Sequence, residues 1–246
     1  AGPCILPQPV FKQAADSILN LNSMDLSILE ISHRSNKFFE ILERAKYLVK
    51  DILGVPKDYS ILFLHGGASL QFLMVPYNLL KSKRKAAYLD TGRWSQKAIK
   101  EAKLFGETII CGSSSDKDYS YIPKTFTIPS GLSYFHFTSN NTVYGTQIKN
   151  IPIYKGIKVC DMSSDIFSRK ININNFDLIY AGAQKNIGPA GVAIVIINDG
   201  ILGYQEREIP SYLDYKVHID NGSLFNTPPV FPVYTSMLNL EWLKKN

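Results

Sequence analysis

Cysteine is scarce: Cys4, Cys111 and Cys160 are the only three in 246 residues. An odd, widely spaced set without CxxC pairs excludes a zinc ribbon or a disulfide scaffold, so no metal site is expected and a reducing cytosol is. Long apolar runs are missing too. The most apolar stretches, residues 61–64 and 191–197, have the length of strands and end in turn residues, so no membrane-spanning helix is encoded. The first four residues, Ala1-Gly2-Pro3-Cys4, lack a basic flank, an apolar core and an initiator Met, which argues against a signal peptide and for a few residues missing ahead of them. Charge of one sign is not dominant, with 27 Lys and Arg against 21 Asp and Glu, for a formal net charge of +6. That balance suits an anionic partner of some kind. The one dense basic run, Lys81-Ser82-Lys83-Arg84-Lys85, has no aromatics interleaved and reads as a solvated loop, not a nucleic-acid surface. No repeat or low-complexity tract occurs.

What is present is the composition of a globular chain: 45% apolar, 20% charged, 16 Gly and 13 Pro. At about 150 residues per domain the length gives one large domain, or a domain plus a fragment. Helix and strand periodicities alternate along it, which makes the fold class α/β. Helices are expected over 8–22 and 34–53, the second from apolar positions Phe38, Ile41, Leu42, Ala45, Leu48, Val49 and Ile52, closed by Gly54 and Pro56. Seven strands follow from apolar runs at 61–64, 85–90, 108–111, 134–138, 157–162, 178–181 and 192–197, with helices at 69–80 and 94–105 and a polar loop at 113–118. A last helix runs from Pro228 to the end, with Thr227 as its N-cap and Pro228 at its first position.

Ligands in open α/β sheets bind beyond the carboxyl ends of strands, where Ser139-Asn140-Asn141-Thr142, Asp161 and Gln184-Lys185 are placed. Gly66-Gly67-Ala68-Ser69, between a buried strand and a helix, offers free N–H groups and a positive helix end to a phosphate, although any tight strand-to-helix turn needs small residues. It is neither a Walker loop nor a GxGxxG fingerprint. Asp161 and Lys185 put an acid and an amine on two strand ends. Such a pair can be a surface ion pair worth about 0–1 kcal/mol. It also has a specific use with pyridoxal phosphate, which needs a lysine amine to bond its aldehyde carbon and a carboxylate to keep its ring nitrogen protonated.

Several motifs in order decide between these readings: His33-Arg34-Ser35, the HGGASLQF run at 65–72, Asp90-Thr91-Gly92-Arg93-Trp94-Ser95, Ser139-Asn140-Asn141-Thr142, Asp161-Met162-Ser163, Gly182-Ala183-Gln184-Lys185-Asn186 with Gly188-Pro189-Ala190-Gly191, and Phe225-Asn226-Thr227-Pro228-Pro229. Together, from Gly2-Pro3 to the last helix, the chain resembles the phosphoserine aminotransferases, class-V, fold-type-I enzymes that use pyridoxal phosphate. The resemblance implies that residues 1–246 form the cofactor-binding large domain, with an N-terminal helical segment and a mostly parallel seven-stranded sheet flanked by helices. It also implies that the family's small C-terminal domain is absent after about residue 246.

By the same resemblance Lys185 carries the cofactor and acts as the base, Asp161 pairs with the ring nitrogen, and Trp94 stacks on the ring. Thr142 lies near the ring hydroxyl, while Ala68, Ser69 and Gln184 hold the phosphate. Many members have Gly-Arg where this chain has Ala68-Ser69, so backbone N–H groups and the Ser69 hydroxyl would replace a guanidinium. His33 and Arg34 would meet the anionic groups of the substrate. Asn226 and Thr227 would reach the cofactor phosphate of a neighbouring subunit, giving a homodimer with shared sites. The implied reaction is reversible amino transfer between O-phospho-L-serine and 2-oxoglutarate, giving 3-phosphooxypyruvate and L-glutamate, in serine biosynthesis and with a possible second use in the vitamin B6 pathway, in the cytoplasm. Two other readings share Asp161 and Lys185: a different fold-type-I aminotransferase or desulfurase, and a cofactor-binding remnant without catalysis.

Overall fold

The computed structural model describes residues 5–246, so the Gly2-Pro3 match, Cys4 and the start of the chain lie outside the described residues. The chain opens with α1 (Gln8–Leu19) and α2 (Asn36–Leu53). Ser35 caps α2 by accepting from the Phe38 N–H at 3.2 Å, and Gly54 closes it in the left-handed conformation at φ 63°. The apolar stripe expected from spacing is the face that α2 buries, with Phe38, Ile41, Leu42, Ala45, Leu48 and Val49 all inside.

Then follow β1 (Tyr59–Leu64), α3 (Gly67–Leu79), β2 (Ala86–Asp90), α4 (Arg93–Ala102), β3 (Thr108–Ser113) and β4 (Tyr134–Thr138). A short hairpin, β5 (Asn140–Asn141) and β6 (Thr146–Gln147), precedes β7 (Lys158–Asp161), β8 (Leu178–Gly182), β9 (Ala193–Asn198), α5 (Tyr215–Asp220) and α6 (Val230–Lys245). The main sheet has seven strands in the order β1-β9-β8-β7-β4-β2-β3. Only β9 runs against the rest, pairing antiparallel with both β1 and β8. The six co-directional strands therefore present their carboxyl ends along one edge.

Both faces of the sheet are covered. Alternate residues of β9 divide between them: Ile194 and Ile196 join the core under α1, α2 and α6, while Val195 and Ile197 join the core under α3 and α4. Burial on two faces is why these strands read as unbroken apolar runs.

The boundaries differ from expectation where local chemistry competes with periodicity. The first helix stops at Leu19 and a 3₁₀ turn, Leu21–Ser23, follows it. The expected loop at 113–118 contains a 3₁₀ turn, Ser115–Lys117. The last helix starts at Val230 with Pro229 in the cap position and no side-chain cap, so Thr227 is not its N-cap and Pro228 is not its first residue. The cause is the tandem proline: a residue before proline is pushed out of the α region, and Pro228 is followed by Pro229.

Candidate functional site

The carboxyl edge of the sheet holds a cleft of about 380 Å³. Its first wall is the start of α3. Gly66 takes φ 78° to turn the chain out of β1 and has no side chain with which to cap the helix, so the first-turn N–H groups at Gly67, Ala68 and Ser69 lack helical acceptors. They line the cleft with the positive end of the helix behind them. An alanine at position 66 would bring Cβ within 2.5 Å of the Leu70 Cβ, so turn and helix demand glycine on two counts.

Trp94 forms another wall from the first turn of α4. The turn is set by Ser95, whose Oγ accepts from the Thr91 and Gly92 N–H groups at 3.0 Å each and donates to Asp90 Oδ1 at 3.0 Å. Asp90 is itself buried and also accepts from Tyr119 Oη at 3.2 Å. The indole carries the Lys97 ammonium 4.9 Å from its ring centroid. Two buried polar atoms of cleft residues, Trp94 Nε1 and Thr138 Oγ1, have no partner among the described residues.

The floor is made by the ends of β7 and β8. Asp161, 4% exposed, lines the cleft, and its Oδ1 accepts from the Ser163 N–H at 2.9 Å. The Ser163 hydroxyl also hydrogen-bonds the carboxyl. Burial raises its carboxyl above the ordinary range, opposed by the Ser163 bonds and the charge of Lys185. Lys185 follows β8 in a turn fixed by Ala183, whose N–H donates to the Val192 carbonyl and whose own carbonyl accepts from the Ile187 and Gly188 N–H groups. Desolvation holds the Lys185 amine below its ordinary value, against the pull of Asp161 and Asp165. Its Nζ donates to Thr142 Oγ1 on the turn of the β5–β6 hairpin, and Thr142 Oγ1 donates to Ser164 Oγ at 3.2 Å.

Seven of the expected site residues thus converge on one cleft: Ala68, Ser69, Trp94, Thr142, Asp161, Gln184 and Lys185. Four do not. His33 is partly buried and Arg34 exposed in the turn before α2, away from the cleft; Asn226 and Thr227 are exposed in the loop before α6. Asn226 instead edges a separate small pocket with His65 and His218. Sequence reasoning passed over Thr138, Ser164 and Asp165, whose only signal was a place within a few residues of a strand end. A larger groove, about 1230 Å³, lies between segments 121–128 and 147–154, and its lining carries no carboxylate or imidazole.

An anion-binding helix end, an indole wall, a buried carboxylate lining the cleft and an amine of lowered basicity together fit a flat, phosphorylated, nitrogen-containing ring. Comparison with known proteins points the same way. The family model for class-V aminotransferases matches residues 1–246. The phosphoserine aminotransferase of Flavobacterium psychrophilum is 59% identical over 99% of this chain and 69% of its own length; that of Parabacteroides distasonis is 53% identical over 100% and 68%. Among solved structures, the phosphoserine aminotransferase from Bacillus circulans subsp. alkalophilus superposes with a TM-score of 0.96 at 40% identity, covering 100% of this chain and 69% of that one. The pyridoxal-phosphate-bound phosphoserine aminotransferase from Trichomonas vaginalis gives 0.92 at 32% identity, covering 100% and 74%.

Proposed function

The chain belongs to the class-V aminotransferase family, and from that premise we propose how its own residues carry the reaction. The activity is pyridoxal-phosphate-dependent amino transfer between O-phospho-L-serine and 2-oxoglutarate, giving 3-phosphooxypyruvate and L-glutamate, a reaction of serine biosynthesis. When bound, pyridoxal phosphate supplies an aldehyde carbon that takes the amino group and a protonated ring that withdraws the electron pair left when the Cα–H bond of the substrate breaks.

The N–H groups at Ala68 and Ser69, with the Ser69 hydroxyl and Gln184, hold the phosphate at the α3 end. Asp161, buried in the cleft floor, would accept from the ring nitrogen and keep it protonated. Trp94 covers the ring face, and Thr142 stands at the ring hydroxyl. Lys185 would bond the aldehyde carbon of the cofactor, and its amine would take and return the Cα proton; desolvation, which lowers the basicity of the amine, favours both roles. His33 and Arg34 do not line this chain's cleft; their role at the anionic groups of the substrate, with the planar guanidinium pairing bidentately to carboxylate or phosphate, is carried by the resemblance alone. Asn226 and Thr227, outside their own chain's cleft, serve the phosphate of a second copy, so the working form is a dimer. A cytoplasmic location and a second substrate, the phosphorylated threonine analogue of the vitamin B6 pathway, belong to the same proposal.

The observation that carries this reading is the meeting of Lys185 and Asp161 in one cleft whose wall is the uncapped start of α3. Absorbance spectra of the full-length, cofactor-loaded protein mixed with O-phosphoserine, alanine or cysteine test it. Conversion of the cofactor to its amino form by O-phosphoserine, and back by 2-oxoglutarate, is expected. Conversion by alanine or cysteine alone would assign another fold-type-I activity, and binding without conversion would assign a non-catalytic remnant.

A further inference from the structure

One buried carboxylate beside the cleft has no place in the mechanism above. Asp165 is 7% exposed and does not line the cleft. It accepts from Ser139 Oγ at the end of β4 and, through Oδ2, from Gln147 Nε2 on β6 at 3.0 Å. Arg169 approaches Oδ2 at 3.7 Å and donates onward to the Ile148 and Lys149 carbonyls at 2.9 and 3.3 Å. Every one of these contacts falls on the end of β4, on β6 or on the residues just after it.

The β5–β6 hairpin needs such help. Its strands are two residues each, they pair with each other and not with the main sheet, and a two-stranded ribbon of this kind is marginal by itself. Its turn nevertheless carries Thr142, the hydroxyl that accepts from Lys185. Burying a carboxylate is costly unless it is paired and hydrogen-bonded. Here its two oxygens are used to join three separate pieces of chain.

We propose that Asp165 is a positioning residue: it clamps the β5–β6 hairpin to the sheet, holds Thr142 Oγ1 at Lys185 Nζ, and through that contact sets how readily the amine gives up its proton. The proposal rests on the reading that Lys185 is the reactive amine. The charged groups that face Lys185 are Asp161 and Asp165, so Asp165 can also act directly through its field, and the test must separate field from clamp.

The test uses full-length protein freed of cofactor, with Lys185 trace-labelled by acetic anhydride across a pH series and read by mass spectrometry, so it succeeds or fails whatever the substrate proves to be. Gln147→Leu loosens the clamp and leaves both carboxylates; Asp165→Asn keeps the shape and removes the charge. Each is expected to lower the labelling midpoint by about half a pH unit or more, because the charged amine loses its acceptor. In a Thr142→Val background Gln147→Leu should lower it no further, whereas Asp165→Asn should still lower it through the lost field. Hydrogen exchange should quicken at 140–147 while β7 and β8 keep their protection, and any variant losing that protection is replaced by Arg169→Met, which frees the same segment. An unmoved midpoint in Gln147→Leu, or full additivity with Thr142→Val, overturns the clamp.

Discussion

Burial drives the two charged groups of the cleft toward neutrality from opposite sides, lowering the basicity of Lys185 and weakening the acidity of Asp161. The charge of Asp161 is the first to oppose the shift at Lys185, while at Asp161 the Ser163 hydrogen bonds oppose it ahead of the charge of Lys185. Lys185→Ala is therefore expected to abolish the borohydride-reducible cofactor linkage, since no other lysine lines the cleft; peptide mapping that finds the linkage on another lysine overturns the assignment. Asp161→Ala should still bind part of the cofactor, but proton abstraction should fall by about 10²–10³-fold, the usual cost of removing one preorganised electrostatic partner. Single-turnover loss of deuterium from Cα measures it. Away from the cleft, burial pushes His136 down to about 3, with Nε2 paired to Tyr180 Oη at 2.8 Å. Unfolded histidine takes its proton near pH 6.5, so between these values the unfolded chain binds more protons. Stability is then full above about pH 6.5 and falls as pH drops toward 3, by at most about 1.4 kcal/mol per pH unit from this residue. Urea unfolding at pH 7, 6 and 5 should show the slope, and His136→Gln should flatten it. Lys185 and Asp161 were legible from the ordered motifs that carry the family resemblance; by themselves the two side chains read equally as a surface ion pair. Asp165 was not, because nothing in one sequence separates a clamped acid from a surface one.

At the scale of elements, α6 acts as a brace for the loop that bears Lys185. Asn239 Nδ2 donates to the Ile187 carbonyl at 2.8 Å and the Asn186 carbonyl at 3.2 Å. Gly188 lies so close to α6 that an added Cβ would meet Ser236 Oγ at 2.5 Å and its Cα at 3.1 Å. Gly188→Ala should thus cost about 1–3 kcal/mol by overpacking and weaken cofactor binding together with stability, which urea unfolding and cofactor titration can follow side by side. The seven strands were readable as unbroken apolar runs, and α2 from its apolar stripe at helical spacing. The β5–β6 hairpin and the six-residue α5 were not, being shorter than any period that could announce them. The start of α6 was misplaced by two residues because cap chemistry pointed to Thr227 while the following prolines denied it the geometry.

For the whole molecule the open question is whether one chain suffices. Asn226 and Thr227 are exposed and do not line their own chain's cleft, which leaves them free to serve a second copy. Mixing Lys185→Ala chains with chains whose Thr227 substitution blocks cofactor binding should restore one competent site per hybrid dimer, detected as a reducible linkage after subunit exchange. Verified exchange with no linkage would return Asn226 and Thr227 to their own chain. The resemblance in sequence carried this expectation; burial and distances within a single chain could not have raised it.

The placement of β9 between β1 and β8 has a consequence for how the chain is made. Strand β1 pairs with β9 alone, Tyr59 with Asn198 and Leu64 with Ala193. During synthesis the first strand must wait while residues 65–192 leave the ribosome, and until then β1 and the outer side of β8 remain unpaired apolar edges. Closure of that gap is the least local event in the fold, and non-local pairing is slow. Nascent chains stalled before β9 are complete through Lys185 and yet lack the strand that joins β1 to the sheet, the state in which exposed edges recruit chaperones or each other.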